Sequence, residues 1–243
     1  MVIVVEENHS FGNIIGNASA PYFNSLATQG ALFTDSAGIA HPSEPNYLAL
    51  FSGSTQGVSD DSCPHTFSGD NLGAQVAAAG ETFAGYSEGL PQAGYSGCTS
   101  GDYARRHAPW TDFPSVPASA SLPFSEFPQD YKNLPTVSFV IPNVADDMHD
   151  GSISAADSWM RDNLDGYAQW AKTHNSLLVV TWDEDEDTAS NHVATIFEGA
   201  QVNPGQYSES INHYKVLRTI EAAYGLPALG QAADMQPITD IWK

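Results

Sequence analysis

Two apolar runs end in side chains that could hold a cation. The first run is Val2–Val5, and the second is Leu177–Trp182. The residues that directly follow them carry carboxylate and amide oxygens: Glu7, Asn8, Asp183 and Glu184. Such hard oxygen donors favour Ca²⁺, Mg²⁺ or Mn²⁺ over Zn²⁺. The pattern therefore predicts a hydrolytic site built around a divalent metal ion.

A third group lies in the stretch His41-Pro42-Ser43-Glu44-Pro45-Asn46, just before a predicted helix. A serine at this position is commonly an N-cap, whose oxygen accepts a backbone N–H of the first helical turn. The same position also suits a nucleophile, because the helix dipole and its free N–H groups favour an alkoxide and an incoming phosphate. A neighbouring cation would lower the pKa of the hydroxyl further. Ser43 is therefore a candidate nucleophile.

Helix-like and strand-like segments alternate along the chain. Strands are predicted at 2–6, 31–34, 82–86, 136–141, 177–182 and 193–197, and helices at 21–29, 45–52, 71–79, 155–173 and 215–224. Alternation with continuously apolar strands indicates an α/β fold, a three-layer αβα sandwich with a mostly parallel central sheet. We expect a single domain over 1–243, with the Pro-, Gly- and aromatic-rich segment 89–135 running over the active-site face. Ligands of such folds bind beyond the carboxyl ends of the strands.

Composition restricts the partners. The chain of 243 residues has 29 acidic and 8 basic side chains and a formal charge of −21, which argues against nucleic acid or an anionic membrane as a partner. No apolar stretch approaches the roughly 20 residues of a membrane span, so we expect no stable membrane insertion. The sequence leaves the oligomeric state open.

The two cysteines, Cys63 and Cys98, both lie in loop-like sequence. A disulfide between them would indicate a secreted or periplasmic protein, whereas two free thiols would fit a cytosolic one. The exported form is the expectation, although Met1 directly adjoins the first strand and no leader is visible.

Five motifs together resemble a known family. They are Glu7-Asn8-His9-Ser10-Phe11, Pro42–Tyr47, Asp147–Gly151, Trp182–Glu184 with Asn191-His192, and His213–Glu221. In this order they are similar to the phosphoesterase family of bacterial phospholipases C and acid phosphatases, within the alkaline-phosphatase-like superfamily. The resemblance implies that Ser43 attacks phosphorus. It also implies the metal ligands Glu7, Asn8, Ser43, Asp183 and Glu184, and because relatives often use zinc, the metal could be Ca, Mg, Mn or Zn.

Histidines supply the remaining candidates. His149 and His192 fall in loops at the active edge of the sheet, where two-metal relatives hold a second cation and single-metal members bind phosphate or protonate the leaving group. We expect the single-metal arrangement, in which His149 and His192 bind phosphate or act as the acid, and Asp147 and Asp150 are candidates for positioning them at the substrate. His41 is as easily structural as catalytic.

Two more substrate-binding residues are predicted. His107 lies in a stretch similar to the family's Lys-His-x-Pro segment, with Arg106 in place of the lysine. Asn46, in the first turn of the helix, could donate to a phosphate oxygen, or it could instead cap or pack. His9, His65, His174 and His213 are treated as background.

Three functions fit these residues. The first is a phosphomonoesterase of the acid-phosphatase kind, acting on a small-molecule phosphate ester through a phosphoserine. The second is a phospholipase-C-like phosphodiesterase, for which the aromatic stretch Trp110–Phe127 would supply an apolar rim. The third is a non-catalytic binding module in which the metal only connects loops.

Overall fold

The computed structural model describes all 243 residues. Ten strands are present: β1 (Val2–Glu6), β2 (Ala31–Ala37), β3 (Phe83–Ser87), β4 (Thr99–Ser100), β5 (Tyr103–Ala104), β6 (Ser121–Pro123), β7 (Val137–Ile141), β8 (Leu178–Trp182), β9 (His192–Glu198) and β10 (Gly205–Asn212). The six α-helices are α1 (Phe11–Ile14), α2 (Pro21–Gln29), α3 (Glu44–Ser52), α4 (Leu72–Ala78), α5 (Ile153–Ala171) and α6 (His213–Ala223).

Eight of the strands form one sheet in the order β10-β2-β9-β8-β1-β7-β3-β6. Every neighbouring pair is parallel except for the two pairs made by β9, which runs antiparallel to β2 and to β8. The short strands β4 and β5 pair separately with each other. The predicted α/β class with a mostly parallel central sheet is confirmed.

Helices cover both faces of this sheet, because the central strands are apolar on both sides. Ile3 and Val5 of β1 belong to a core that includes residues of α3, α4 and α6. Val2 and Val4, which point the other way, belong to a second core with residues of α2 and α5. Alternate side chains of one strand thus enter different layers, as the pleat requires. The result is the three-layer αβα sandwich.

Pairing between β1 and β8 aligns the two acidic ends that the sequence singled out. Glu6 lies opposite Trp182 in the parallel register, and the N–H of Asp183 donates to the carbonyl of Glu6 at 3.0 Å. On the other side of β1, the N–H of Glu7 donates to the carbonyl of Asp147 at 2.8 Å. The residues after three adjacent strands therefore meet at one edge.

The segment 89–135 holds β4 to β6 and five short 3-10 turns rather than a regular layer. Its aromatic residues Trp110, Phe113 and Phe127 are buried in the two cores, and no large hydrophobic side chain of the chain is exposed. The apolar rim that the phosphodiesterase hypothesis requires is therefore not formed by these side chains.

Other predictions are tested by local features. The expected disulfide between Cys63 and Cys98 is present. None of the helices combines the length and the apolar character needed to pass through a lipid bilayer. The sequence did not predict β10, whose polar residues lie at an edge of the sheet, and the observed α5 begins and ends two residues before the predicted helix 155–173.

Candidate active site

Ser43 lies at the centre of the acidic residues at the carboxyl edge of the sheet. Its Oγ is 2.9 Å from Glu7 Oε2, 3.2 Å from Glu184 Oε1 and 3.3 Å from Asn8 Oδ1. Asp183 adjoins the same group, because its Oδ1 accepts the N–H of Asn8 at 3.2 Å. The structure therefore brings together all five residues that the sequence proposed as metal ligands.

The backbone at Ser43 distinguishes between the two interpretations of this serine. Ser43 is in the helical conformation (φ −59°, ψ −52°), and its side chain makes no capping hydrogen bond to α3. A capping serine is normally extended and accepts an N–H two or three residues on. The hydroxyl instead points at the carboxylates, as a nucleophile beside a cation would.

The first N–H groups of α3 already have partners. The N–H of Glu44 donates to Asp61 Oδ1 at 3.0 Å, and that of Asn46 to the carbonyl of Ser43 at 2.9 Å. Pro45 has no N–H to offer. The helix start therefore contributes its dipole but not these hydrogen bonds to an incoming phosphate, and other donors must bind the phosphoryl oxygens.

Asn8 sits between the carboxylates in the left-handed region (φ 49°), which asparagine tolerates better than most residues. Turning its amide round would place the nitrogen 3.1 Å from both Glu7 Oε2 and Glu184 Oε1. The amide can thus present either its oxygen or its nitrogen to this point. Its oxygen is the atom that would complete a set of cation ligands.

Burial and mutual repulsion raise the pKa values of these acids. The pKa of Glu7 lies well above its usual value because the side chain is fully buried and lies near Asp183 and Asp147. The pKa of Asp183 is raised well above its usual value by burial and then by the charge of Glu184. One oxygen of Asp183, Oδ2, is buried without any hydrogen-bond partner. A cation bound here would offset both the repulsion and the unmade bond.

A second group of ligands lies behind Glu7. His107 is buried, with Nε2 3.3 Å from Glu7 Oε1 and Nδ1 3.4 Å from Asp147 Oδ2, and its ring stacks on Tyr47 at 5.1 Å between centroids. Potential ligand atoms of Glu7, His107 and Asp147 lie within 4.8 Å of one another. Burial raises the pKa of Asp147 to about 7. Because His107 is only 1% exposed, its position suits supporting Glu7 better than contacting a substrate.

Sequence reasoning did not identify Tyr47, although its hydroxyl donates to Glu7 Oε1. The available signal was its spacing: Tyr47 follows Ser43 by four residues, which places both on one face of the helix. His213, treated as background, is also buried at the site, with Nε2 2.6 Å from the carbonyl oxygen of Asp183. Burial lowers the pKa of His213 to about 4, so it donates as a neutral ring.

The other predicted side chains lie around this centre. His41, which was left open, pairs with Glu184 through Nδ1 at 2.5 Å. His149 contacts Asp150 Oδ1 through Nδ1 at 2.8 Å, which fits the positioning role expected for Asp150. His192 contacts the carbonyl oxygen of Thr34 at 3.0 Å and stacks on a phenylalanine ring, so its ring faces these partners.

The side-chain amide of Asn46 binds the backbone of the loop that precedes α3. Its Oδ1 accepts the N–H groups of Ile39 and Ala40, at 2.7 and 3.0 Å. Its Nδ2 donates to the carbonyls of Ala40 and Pro42, at 2.8 and 3.3 Å. Both ends of the amide are therefore used within the chain, which favours the packing role over the phosphate contact.

The fold defines the class of protein. A protein of the alkaline phosphatase superfamily from Vibrio parahaemolyticus superposes with a TM-score of 0.68 at 12% identity, covering 98% of this chain and 70% of that one. A phosphonate monoester hydrolase from Agrobacterium radiobacter superposes with a TM-score of 0.62 at 13% identity, covering 100% and 78%. At this level of identity the likeness shows the fold alone, which is that of the alkaline phosphatase superfamily.

Closer relatives define the family. The profile of the phosphoesterase family matches residues 17–227, and the chain belongs to this family. A phosphatidylinositol-3-phosphatase from Mycobacterium tuberculosis is 55% identical over 245 residues, covering 100% of this chain and 82% of that one. An acid phosphatase from Aspergillus fumigatus is 31% identical over 231 residues, covering 85% of this chain and 51% of that one, so the chain matches about half the length of this fungal relative.

These findings confirm the resemblance described from the motifs. The protein is a phosphoric ester hydrolase related to acid phosphatases. The hypothesis of a non-catalytic binding module is therefore set aside.

Proposed function

We propose that the protein is a metal-dependent phosphomonoesterase in which Ser43 forms a phosphoserine intermediate. One observation carries the proposal. The Oγ of Ser43 makes no helix cap and instead lies within 3.3 Å of Glu7, Asn8 and Glu184, which come from two distant parts of the chain. The hydroxyl thus lies where these oxygen donors converge, which is the position that the proposed nucleophile requires.

The donor set fits a divalent cation. Glu7, Asn8, Asp183 and Glu184, with Ser43, would hold it through carboxylate, amide and hydroxyl oxygens, which favours Ca²⁺, Mg²⁺ or Mn²⁺. The unpartnered oxygen of Asp183 and the raised pKa values of Glu7 and Asp183 support this. When bound, the cation supplies positive charge that stabilises a deprotonated serine and the phosphoryl oxygens. The group Glu7, His107 and Asp147 offers a second position for it.

Glu7 is held in place to accept a proton from the nucleophile. Its Oε2 is 2.9 Å from Ser43 Oγ, while Oε1 accepts the hydroxyl of Tyr47 and lies 3.3 Å from His107 Nε2. The Ser43 proton passes to Glu7 as Oγ bonds to phosphorus and the ester oxygen leaves. Water then attacks the phosphoserine and releases inorganic phosphate and free Ser43.

A histidine protonates the departing oxygen. His149 is favoured over His192, because its backbone N–H donates to Asp147 Oδ1 at 2.8 Å and its ring lies 5.9 Å from that of His107. His192 is turned toward the carbonyl of Thr34. Both histidines stay candidates for the acid, and Asp150 would orient the ring of His149.

The surface favours a monoester over a phospholipid diester. A phospholipase would present apolar side chains to its substrate, whereas the protein exposes no large hydrophobic residue and carries a charge of −21. The phosphatase names of the relatives point the same way. The disulfide supports an exported location, because such bonds persist in oxidising compartments.

Hydrolysis of p-nitrophenyl phosphate by the Ser43→Ala variant tests the proposal. We expect a loss of at least about 1,000-fold in kcat/KM with unchanged melting temperature, since the nucleophile is removed without a cavity. The exposed Ser19→Ala variant is the matched control and should keep full activity. Phosphatidylinositol 3-phosphate and p-nitrophenylphosphorylcholine belong in the same panel, together with chelated protein to which single divalent ions are returned.

Three results would contradict parts of this proposal. Activity retained by Ser43→Ala would show that Ser43 is not the nucleophile. Full activity of protein shown to be free of metal would show that the reaction does not require a cation. Faster turnover of p-nitrophenylphosphorylcholine than of p-nitrophenyl phosphate would favour the phosphodiesterase.

A further inference from the structure

Arg106 differs from the other arginines in having no close carboxylate. Arg105, Arg161 and Arg218 each have a carboxylate oxygen within 2.8 to 3.4 Å. The nearest carboxylate oxygen to Arg106 is Asp61 Oδ2, 3.8 Å from Nε, which is too long for a hydrogen bond. In a chain with 29 acidic and 8 basic residues, a guanidinium left so weakly paired is unexpected.

The donors of Arg106 are also incompletely used. Its Nε is buried and has no hydrogen-bond partner, although the side chain as a whole is 21% exposed. Its Nη2 lies 3.2 Å from His149 Nε2. A guanidinium can only donate, so Nε2 of His149 accepts and Nδ1, which is 2.8 Å from Asp150 Oδ1, carries the hydrogen. One N–H of Arg106 therefore has no acceptor, and another contacts a histidine ring instead of a carboxylate.

Three connections link Arg106 to residues that surround the nucleophile. Arg106 directly precedes His107, which is buried against Glu7. Asp61, on its other side, accepts the N–H of Glu44, the residue after Ser43. The two loops that carry Asp61 and Arg106 are joined by the disulfide, since Cys63 and Cys98 lie close to them in sequence and Arg105 N–H donates to the carbonyl of Cys98 at 2.9 Å.

A phosphate bound at this site needs a positively charged side chain with free N–H groups. The acidic residues around Ser43 repel phosphate, and the first N–H groups of α3 are already bonded. The geometry points to Arg106 as the residue that binds the phosphoryl oxygens and selects doubly charged monoesters over singly charged diesters. This inference rests on the proposed phosphomonoesterase function and assigns its selectivity to one side chain.

The chemistry of the guanidinium accounts for the selection. Its planar fork binds two oxygens of one phosphoryl group, and the attraction grows with the charge on those oxygens. A diester has only one negative charge and fewer free oxygens. A phosphoryl oxygen bound at Nη2 would replace His149 Nε2 as the acceptor of that N–H.

The test compares p-nitrophenyl phosphate with bis-p-nitrophenyl phosphate in Arg106→Gln and Arg106→Lys. For Arg106→Gln we expect kcat/KM for the monoester to fall by about 100- to 1,000-fold, as for loss of a transition-state donor, and that for the diester by no more than about 10-fold. Arg106→Lys keeps the charge but lacks the planar fork. Its kcat/KM for the monoester should lie between those of the natural protein and Arg106→Gln. Arg161→Gln, on an exposed helix surface, is the matched control and should change neither rate.

The outcomes separate this inference from the proposed function. A selective loss of monoesterase activity, with weaker inhibition by inorganic phosphate and an unchanged melting temperature, would support it. An equal loss with both esters, or no loss with either, would overturn it. Failure of the proposed function would appear elsewhere, as activity retained by Ser43→Ala.

Discussion

Two sets of buried carboxylates in this protein differ in their charge partners. Away from the candidate active site, Asp112, Glu198 and Glu221 each have an arginine or lysine nitrogen within 2.7 to 3.4 Å. At the site, no lysine or arginine nitrogen lies within 4.0 Å of the acidic residues. These residues are Glu7, Asp147, Asp183 and Glu184.

The difference has consequences for the charge state of the carboxylates in each group. A buried carboxylate paired inside the chain is neutralised permanently and contributes only to the fold. A buried acid that has neither such a pair nor enough N–H donors favours its protonated form or a cation from solution. The raised pKa values of Glu7 and Asp183 describe the first of these states, and a bound divalent ion would produce the second. The site thus lacks a lysine or arginine partner within the chain, which is what the proposed metal site requires.

Activity should distinguish the two groups most strongly. Glu7→Gln removes a proposed metal ligand and the proposed proton acceptor of Ser43, so we expect kcat/KM to fall by about 1,000-fold or more and the bound metal to decrease. Glu198→Gln, in the paired group, should leave kcat/KM and metal content unchanged. Kinetics with p-nitrophenyl phosphate and elemental analysis of the dialysed proteins measure both. If the two variants behaved alike, the division into two groups would be wrong.

In the metal-free protein, one substitution from each group should change the free energy of unfolding in opposite directions. Asp112→Asn leaves Arg105 buried without its charge partner, and we expect a loss of about 3–5 kcal/mol. Asp183→Asn removes an acid whose ionisation the folded chain opposes and keeps the oxygen that accepts the Asn8 N–H, so we expect a gain of about 1–2 kcal/mol.

Urea unfolding in the presence of a chelator measures the two free energies. Adding saturating metal should then remove the advantage of Asp183→Asn, because in the proposed site the natural carboxylate is a ligand of the cation. A destabilised Asp183→Asn protein under chelation would show that Asp183 is compensated within the chain.

The sequence could predict the parts of this molecule that depend on local pattern. The continuous apolar runs of β1, β7 and β8 identify buried strands, and their parallel order places the residues that follow them at one edge. The strand β10 was missed because it is largely polar and carries no run of apolar residues, as an edge strand allows. Pattern alone does not mark such a strand.

The surroundings of Ser43 were harder to predict because they depend on how loops fold over the sheet. The convergence of Glu7, Ser43 and Glu184 followed from the strand ends and the motif order. The contact of His213 with the backbone of Asp183 and the pairing of Arg106 with His149 join segments that no spacing relates. Sequence could propose the residue types there, but only the fold shows which atoms face each other.

The pH dependence of stability gives the smallest and most specific test. Burial raises the pKa of Asp147 to about 7, above its value of 3.8 when exposed. The folded protein therefore holds a proton between these pH values that the unfolded chain has lost, so stability from this group is present below pH 4 and is lost as pH rises toward 7. We expect metal-free protein to lose about 1–3 kcal/mol from this group between pH 4 and pH 7.

Asp147→Asn isolates the effect. The amide keeps an oxygen for the N–H of His149, which now donates to Asp147 Oδ1 at 2.8 Å, but it cannot ionise. Unfolding of this variant under chelation should depend less on pH between 4 and 7 than unfolding of the natural protein, and the difference should be largest at the upper end. Asp162→Asn, at a fully exposed position on α5, is the matched control and should leave the slope unchanged. Equal slopes for the natural protein and Asp147→Asn would mean that the carboxylate is ionised throughout, and that a charge within the chain already neutralises it.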